Sequence, residues 1–559
     1  MENSFSSKQR AAYLEEMSKH TLDLLVIGGG ITGAGIALDA QVRGIHTGLI
    51  EMQDYAAGTS SRSTKLVHGG LRYLKQLEVK LVAEVGKERA IVYENAPHVT
   101  TPEWMLLPMI QGGTFGKTAT SIGLKVYDYL AGVKKDERRK MLSKKETLQK
   151  EPLIRSDKLK GGGIYVEYRT DDARLTLEVL KEAVQRGTKA VNYAKAEEFI
   201  YENGKVIGVK VRDVLSSKLY SIYAKKIVNA AGPWVDTLRE KDNSKKGKYL
   251  HLTKGVHLVI DGSRFPLKQA VYFDTENDKR MVFAIPRDGK TYIGTTDTFY
   301  NEEIAHPRMT EEDRDYIIAA CNYMFPTVNL TVDDIESSWT GLRPLIHEEG
   351  KSASEISRKD EIFFSETGLI SIAGGKLTGY RKMAERIVDI VGKDLGNTQP
   401  CTTARIKLSG GDVGGADQFE PYVRKMVAEG EKLDLSKEDA SRLVHLYGSN
   451  VTKVYEIMRN HKKDADLHRL PITVFAQLKY GIEEEMVSTP IDFFNRRTGA
   501  LFFHMNWVKQ WKNEVVAYMK KELKWTDEQV VKYVTYLESE IYYAQNPVDG
   551  SKEEVQKAI

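Results

Sequence analysis

The sequence predicts a mixed α/β protein with a helical C-terminal part, on three observations. The first is Leu24–Gly35, an apolar run that breaks into glycines and then helical spacing, followed by a second apolar run ending in Glu51. The second is a set of short runs between 250 and 345, among them HLVI at 257–260, MVFAIP at 281–286 and TYIGTTD at 291–297. These read as strands of an antiparallel sheet lying over a substrate. The third is a change of composition after Gly396: residues 415–545 read as helices, with capping sequences at Ser436–Asp439 and Thr526–Gln529.

At 559 residues the chain exceeds one ordinary domain, and about three is the prior. Charge is nearly balanced, 82 Lys+Arg against 78 Asp+Glu for a net +4, which excludes a strongly basic nucleic-acid binder. The two cysteines, Cys321 and Cys401, are far apart and form no C-x-x-C. Neither a disulfide framework nor a metal site is expected, and a reducing compartment is. The charged first twenty residues lack the apolar core of a signal peptide, and no run of about 18 apolar residues offers a membrane span. Contact with a membrane surface stays open.

A short leading helix is expected over 7–18. In the stretch that follows, Gly28, Gly30 and Gly33 fit G-x-G-x-x-G between a strand and a helix. The first glycine allows the tight turn, the second lets backbone approach a pyrophosphate, and the third lets the helix pack close; the helix N-terminus favours the negative charge. Glu51, about 20 residues on, suits the hydroxyls of an adenosine ribose. The next segment is rich in small and hydroxyl residues with little periodicity, free to lie against a ligand. Residues 78–95 return to helical spacing, and 97–110 read as short extended pieces broken at Pro102 and Pro108. The run KKDERRKMLSKK at 134–145 is either a solvated face or a contact for anionic lipid headgroups. A helix is expected over 170–187, then a hairpin turning at Asn203-Gly204. A strand then enters the small-residue turn Ala230–Pro233. Gly368–Val391 completes the first domain: a strand, the turn Gly374-Gly375-Lys376, and a helix burying Met383, Ile387 and Val391.

At SSRSTKLVHGGLRYL, from Ser60, the pattern becomes specific. With VNAAGPWVD at 228–236, GLRPL at 341–345, AGGKLTGYR at 373–381 and DFFNRRTG at 492–499, it closely resembles the FAD-dependent glycerol-3-phosphate dehydrogenases over nearly the whole chain. The resemblance implies a glutathione-reductase-like FAD-binding domain, a substrate cap, a C-terminal helical domain and, as a family expectation, a dimer. The division it gives is 1–95, 166–250 and 341–395 for the FAD-binding domain, 96–165 and 251–340 for the cap, and 396–559 for the helical domain. It further implies oxidation of sn-glycerol 3-phosphate to dihydroxyacetone phosphate, with electrons passed to a membrane quinone by a protein held peripherally at the inner face of the cell membrane. The cofactor residues so implied are Gly28, Gly30, Ile31, Thr32, Gly33 and Glu51. To these are added Thr59, Ser60, Ser61, His68, Gly69, Gly70 and Leu71, then Ala231 and Gly232, and finally Gly374, Gly375, Lys376, Leu377 and Thr378.

Oxidising a secondary alcohol calls for a hydride acceptor, a base for the hydroxyl proton and, here, a cage for phosphate. Arg72, Arg343 and Lys376 are the cationic candidates, each beside a glycine or proline turn, and Tyr73 can hydrogen-bond the substrate. His257 is the first choice for base, since its pKa near neutrality suits proton transfer while arginine stays protonated. The catalytic set is thus His257, Arg343 and Arg72. Lys376 serves either the substrate or the N1–C2=O side of reduced flavin. A glycerol-3-phosphate oxidase making hydrogen peroxide is the alternative reading. An amine or amino-acid oxidase leaves the cationic cluster unexplained, and a silent flavin-binding protein leaves the retained polar set unexplained. For the membrane surface the candidate is 112–145, with Phe115, Ile122, Leu124, Val126 and Tyr127 beside Lys134, Lys135, Arg138, Arg139 and Lys140; the Lys/Arg-rich C-terminal helices are the other.

Overall fold

The computed structural model describes residues 4–67, 79–114, 138–350 and 359–548. Five parallel strands form the centre of one sheet, in the order Ile370–Ala373, Leu219–Asn229, Leu22–Ile27, Thr47–Ile50 and Lys189–Val191. Leu24–Ile27 and Leu49–Ile50 are apolar without alternation because both faces of these strands are buried. The helices Ile31–Val42, Asp172–Gln185 and Tyr380–Leu395 pack together over this sheet. The C-terminal ends of four of these strands lie side by side, where ligands bind in open α/β sheets. The expected hairpin is present: Glu202 pairs Lys205, and Asn203 and Gly204 both take positive φ, as a two-residue type I′ turn requires.

The second sheet has ten strands. It is antiparallel except at Ala270–Val271, which run parallel to Met105–Leu106 and so join the earlier segment to the later one. Thr100–Ile110 is one continuous strand through Pro102 and Pro108, not the broken pieces expected. Among the described residues its second edge is paired only at Met105 and Leu106, so neither proline interrupts a ladder there. The helix Glu311–Met324, started by a full capping box at Thr310, covers one face of this sheet.

Helices fill 419–545 as expected. Thr526 and Gln529 form a reciprocal capping box, whereas Ser436 caps through the Asp439 N–H alone. The leading helix, Arg10–Lys19, follows a single 3₁₀ turn. Ahead of it, Phe5 packs on Tyr55 and its carbonyl accepts from Met486 N–H at 2.9 Å, fastening the first domain to the last. The helix Asp172–Gln185 is buried almost all round because its far side meets the C-terminal domain. There Arg174 and Lys181 both reach Glu485.

Candidate active site

A cleft of about 650 Å³ opens at the C-terminal ends of the parallel strands. Its walls include Gly28, Gly30, Ile31, Thr32, Glu51, Thr59, Ser60, Ala231, Gly232, Gly374, Gly375, Lys376 and Leu377. Gly28 has φ +118°, and a Cβ there would fall 2.5 Å from the Ala230 carbonyl oxygen. A Cβ on Gly33 would lie 1.9 Å from the Gly28 oxygen, so this glycine serves helix-on-strand packing behind the cleft. Ile31 N–H, the first of the helix, donates to Ser60 Oγ at 3.0 Å. Glu51 accepts Gly29 N–H at 2.7 Å on one carboxylate oxygen and Gln53 N–H at 2.8 Å on the other. Burial raises its pKa, and these two donors oppose that.

Two glycine turns, a helix start and a carboxylate therefore line one continuous space. This donor set fits a dinucleotide with a second ring system at the far turn: Glu51 for the ribose, the Gly28–Thr32 turn for the pyrophosphate, and Gly374–Leu377 for the other end.

The cap sheet meets the cleft through the segment 59–65. Thr59 Oγ1 donates to the Leu342 carbonyl at 2.7 Å, and Trp339 Nε1 donates to the Ser63 carbonyl at 3.0 Å. On its other side this segment is held by Asp172: Ser63 and Lys65 Nζ both donate to that buried carboxylate. His257 pairs Trp339 across the strands Lys248–Asp261 and Ile335–Glu348, and the two rings stack at 4.7 Å. Its Nε2 lies 3.0 Å from Thr64 Oγ1. Burial first, then the charges of Arg343 and Lys65, push its pKa well below the ordinary histidine value, so the ring is neutral at neutral pH. Arg343 stands opposite Thr253 on the same face. It donates to Thr295 Oγ1 at 3.0 Å and the Thr296 carbonyl at 3.2 Å, and pairs with Asp297 at 3.3 Å.

Glycines make room for both side chains. A Cβ on Gly255 would fall 2.4 Å from Arg343 Nη2, and one on Gly294 would fall 2.2 Å from the His257 ring. The guanidinium thus lies over Gly255, two residues along the strand from His257.

Of the residues singled out in the sequence, the cleft gathers those named above as its wall. Ser61 and Thr378 are buried beside it, and His257 and Arg343 lie on the cap face rather than on the cleft wall. His68, Gly69, Gly70, Leu71, Arg72 and Tyr73 lie outside the described residues, as do the apolar members of the 112–145 surface with Lys134 and Lys135. Arg138, Arg139 and Lys140 stand at the start of the strand Lys140–Ser143. Among the described residues no helix is long and apolar enough to cross a membrane. Sequence reasoning missed Thr64, Asp172, Asp297 and Trp339. The doublet Asp171-Asp172 held a signal: Asp171 caps the helix at Arg174 N–H, which leaves Asp172 for another task.

Such a cleft under such a cap defines a dinucleotide-dependent oxidoreductase, and comparison with known proteins gives the family. The family described as FAD dependent oxidoreductase matches residues 23–381, and that described as C-terminal domain of alpha-glycerophosphate oxidase matches 401–530. The aerobic glycerol-3-phosphate dehydrogenase of Bacillus subtilis is 62% identical over 98% of this chain and 100% of its own length. That of Staphylococcus aureus is 56% identical over 97% and 98%. A solved glycerol-3-phosphate dehydrogenase from Bacillus halodurans, complexed with FAD, superposes with TM-score 0.86 at 58% identity, covering 98% of this chain and 100% of that one. The L-alpha-glycerophosphate oxidase of Mycoplasma pneumoniae, at 18% identity and TM-score 0.55 over 67% of this chain and 95% of its own, shares the fold. The chain belongs to the FAD-dependent oxidoreductases and, within them, to the family of aerobic glycerol-3-phosphate dehydrogenases. Its cofactor is FAD.

Proposed function

We propose that the chain oxidises sn-glycerol 3-phosphate to dihydroxyacetone phosphate and passes the electrons to a membrane quinone, working peripherally at the inner face of the cell membrane. One geometric relation carries the reading: the Arg343 guanidinium lies over Gly255, on the same face of the cap sheet as His257 and two residues from it. The names of the near relatives support the substrate part of the reading.

Bound FAD supplies the hydride acceptor at N5. The residues of the chain do the rest. Arg343 presents N–H donors to the phosphate, and Asp297 beside it pairs with the guanidinium until the phosphate competes for it. His257, held neutral, receives the hydroxyl proton on a ring nitrogen while the carbon–hydrogen bond yields its hydride. Trp339 fixes the ring plane by stacking. Lys376, at the second glycine turn, offers positive charge either to the phosphate or to the flavin ring edge. Arg72 and Tyr73 complete the proposed substrate set.

Anaerobic addition of glycerol 3-phosphate should bleach the flavin absorbance, and a soluble quinone analogue should restore it far faster than air. Full-rate reoxidation by oxygen with stoichiometric peroxide would replace the dehydrogenase by an oxidase. No bleaching at all would remove the substrate assignment. Pelleting with anionic liposomes at low salt, and less with neutral ones, tests the membrane part.

A further inference from the structure

The loop between Glu51 and Gly58 forms one wall of the FAD cleft through Met52, Gln53, Ala56, Ala57 and Gly58. Tyr193 N–H donates to the Gln53 carbonyl at 2.8 Å and Tyr55 is buried against Phe5, and two further sets of contacts hold the loop on its two sides. On the cleft side, Ala56 N–H donates to the Gly29 carbonyl at 3.0 Å, and Glu51 accepts from Gly29 N–H. Ala56 sits at φ +60°, a conformation alanine adopts only under constraint. On the far side is Asp54, fully buried and facing away from the cleft. Its carboxylate accepts Asn192 Nδ2 at 3.0 Å, Arg496 Nε, and both Arg497 terminal nitrogens at 2.7 and 2.9 Å.

Those two arginines belong to the DFFNRR element of the C-terminal domain. Residues Asp492–Arg497 form a π-helical turn, with Thr498 N–H reaching back five residues to the Phe493 carbonyl at 3.1 Å. The wider turn reduces the rotation between consecutive residues, which lets Arg496 and Arg497 converge on one carboxylate. Each is anchored in its own domain. Arg496 pairs with Asp492 at 2.8 Å, and Arg497 donates to the Glu485 carbonyl. Two carboxylates and two guanidiniums balance in charge. Burial pushes the Asp54 pKa up, but Arg497 and Arg496 hold it down at about 2, so the pair stays ionised across the neutral range.

We propose that Arg496 and Arg497 are positioning residues for FAD: through Asp54 they hold the 51–58 wall in its cofactor-binding conformation, so the C-terminal domain sets how tightly the flavin is retained. Asp54 is next to Gln53 and two residues from Ala56, and both of these face the cleft. Asp54 is the charged anchor of a loop that holds a strained residue, and losing that anchor lets the wall relax. By linkage, whatever the domain contributes to FAD binding FAD returns to the domain.

The test uses the holoenzyme. Arg497→Lys keeps the charge but loses the fork, and Asp54→Asn keeps the shape but loses the charge. FAD release is followed by flavin fluorescence on dilution, beside the Tm and the visible flavin spectrum. Val454→Ala, in the buried core of the C-terminal helices, is the control for lost stability alone. The expected result is release at least tenfold faster for both clamp variants with an altered flavin band shape, and release within twofold of wild type for Val454→Ala at equal or greater loss of Tm. Release that follows Tm alike in all three, or that is unchanged in the clamp variants, overturns the proposal. Should a clamp variant fail to fold, hydrogen exchange of the wild type decides. Resaturating bromide-stripped protein with FAD must protect 488–499 more than 440–455, and equal or no protection at 488–499 overturns the proposal.

Discussion

Replacing Glu51 by Gln isolates the ribose end of the FAD site. In the native loop each carboxylate oxygen takes one backbone N–H, Gly29 at 2.7 Å and Gln53 at 2.8 Å, and keeps further acceptor capacity for ribose hydroxyls. An amide has one acceptor oxygen. An uncharged amide also gives a ribose hydroxyl no anionic acceptor, so the charge-assisted bond to the ribose is lost. A hydrogen bond to a charged group contributes about 1.5–3 kcal/mol. At about 1.4 kcal/mol per tenfold, FAD affinity should fall by about 10- to 150-fold. Stability should not fall in step. Burial raises the Glu51 pKa, so its charge opposes folding at neutral pH, and an uncharged side chain relieves that. The assay is FAD titration by fluorescence quenching, with the Tm of the same preparations. Affinity within twofold of wild type would refute the assigned ribose contact. Equal collapse of affinity and Tm would mean that Glu51 serves the fold alone.

Four further substitutions test the cap. Arg343→Ala should lower kcat/KM far more for glycerol 3-phosphate than for glycerol. Asp297→Asn, which removes the anion beside a partly exposed guanidinium, should improve KM by about 1.5- to 5-fold, the range of an exposed ion pair. His257→Asn should slow flavin reduction by about 10²–10⁴-fold in stopped flow. Because the folded pKa of His257 lies well below its ordinary value, the neutral base persists as pH falls, and the acid limb of kcat/KM should lie below pH 6.5 and vanish in the variant. The same depression makes the unfolded chain take the proton first, so the stability His257 contributes is present above about pH 6.5 and lost as pH drops toward its folded pKa. Gly294→Ala should lower the Tm and slow flavin reduction together, because its Cβ would lie 2.2 Å from a ring already fixed by Trp339 and Thr64. An unchanged rate at unchanged Tm would show that the ring moves aside freely.

The nucleotide half of the site was legible because its signals are local. Gly28, Gly30, Gly33 and Glu51 lie within one βαβ unit, and Gly374–Lys376 is again a strand, a glycine turn and a helix. What escaped is whatever depends on pairing across the chain. The carboxylate of Asp54 and the guanidinium of Arg497 are 443 residues apart in sequence. Nothing local to either marks the other. Thr64 and Trp339 became visible only when Leu66–Val67 and Ile335–Glu348 were seen in one sheet, and Asp297 only when a strand turn carried it to Arg343. Pro102 and Pro108 misled for a related reason: a proline breaks a strand only if its missing N–H was needed, and that depends on which neighbour lies at that edge. The glycines at 255 and 294 were present in the sequence, but a glycine in a strand announces close approach without naming what approaches.

The strand order of the parallel sheet also dictates when it can be finished. Ile370–Ala373 pairs with Val228–Asn229, and the glycine turn at the far end of the cleft follows that strand directly. A nascent chain therefore emerges for some 370 residues before its first domain can close, with the whole second sheet synthesised in between. Pairings of such long sequence separation form slowly and leave apolar edges uncovered meanwhile. Flavin capture is then a late event, and the yield of active enzyme during rapid synthesis should depend on chaperone supply and on free FAD at the moment the sheet closes.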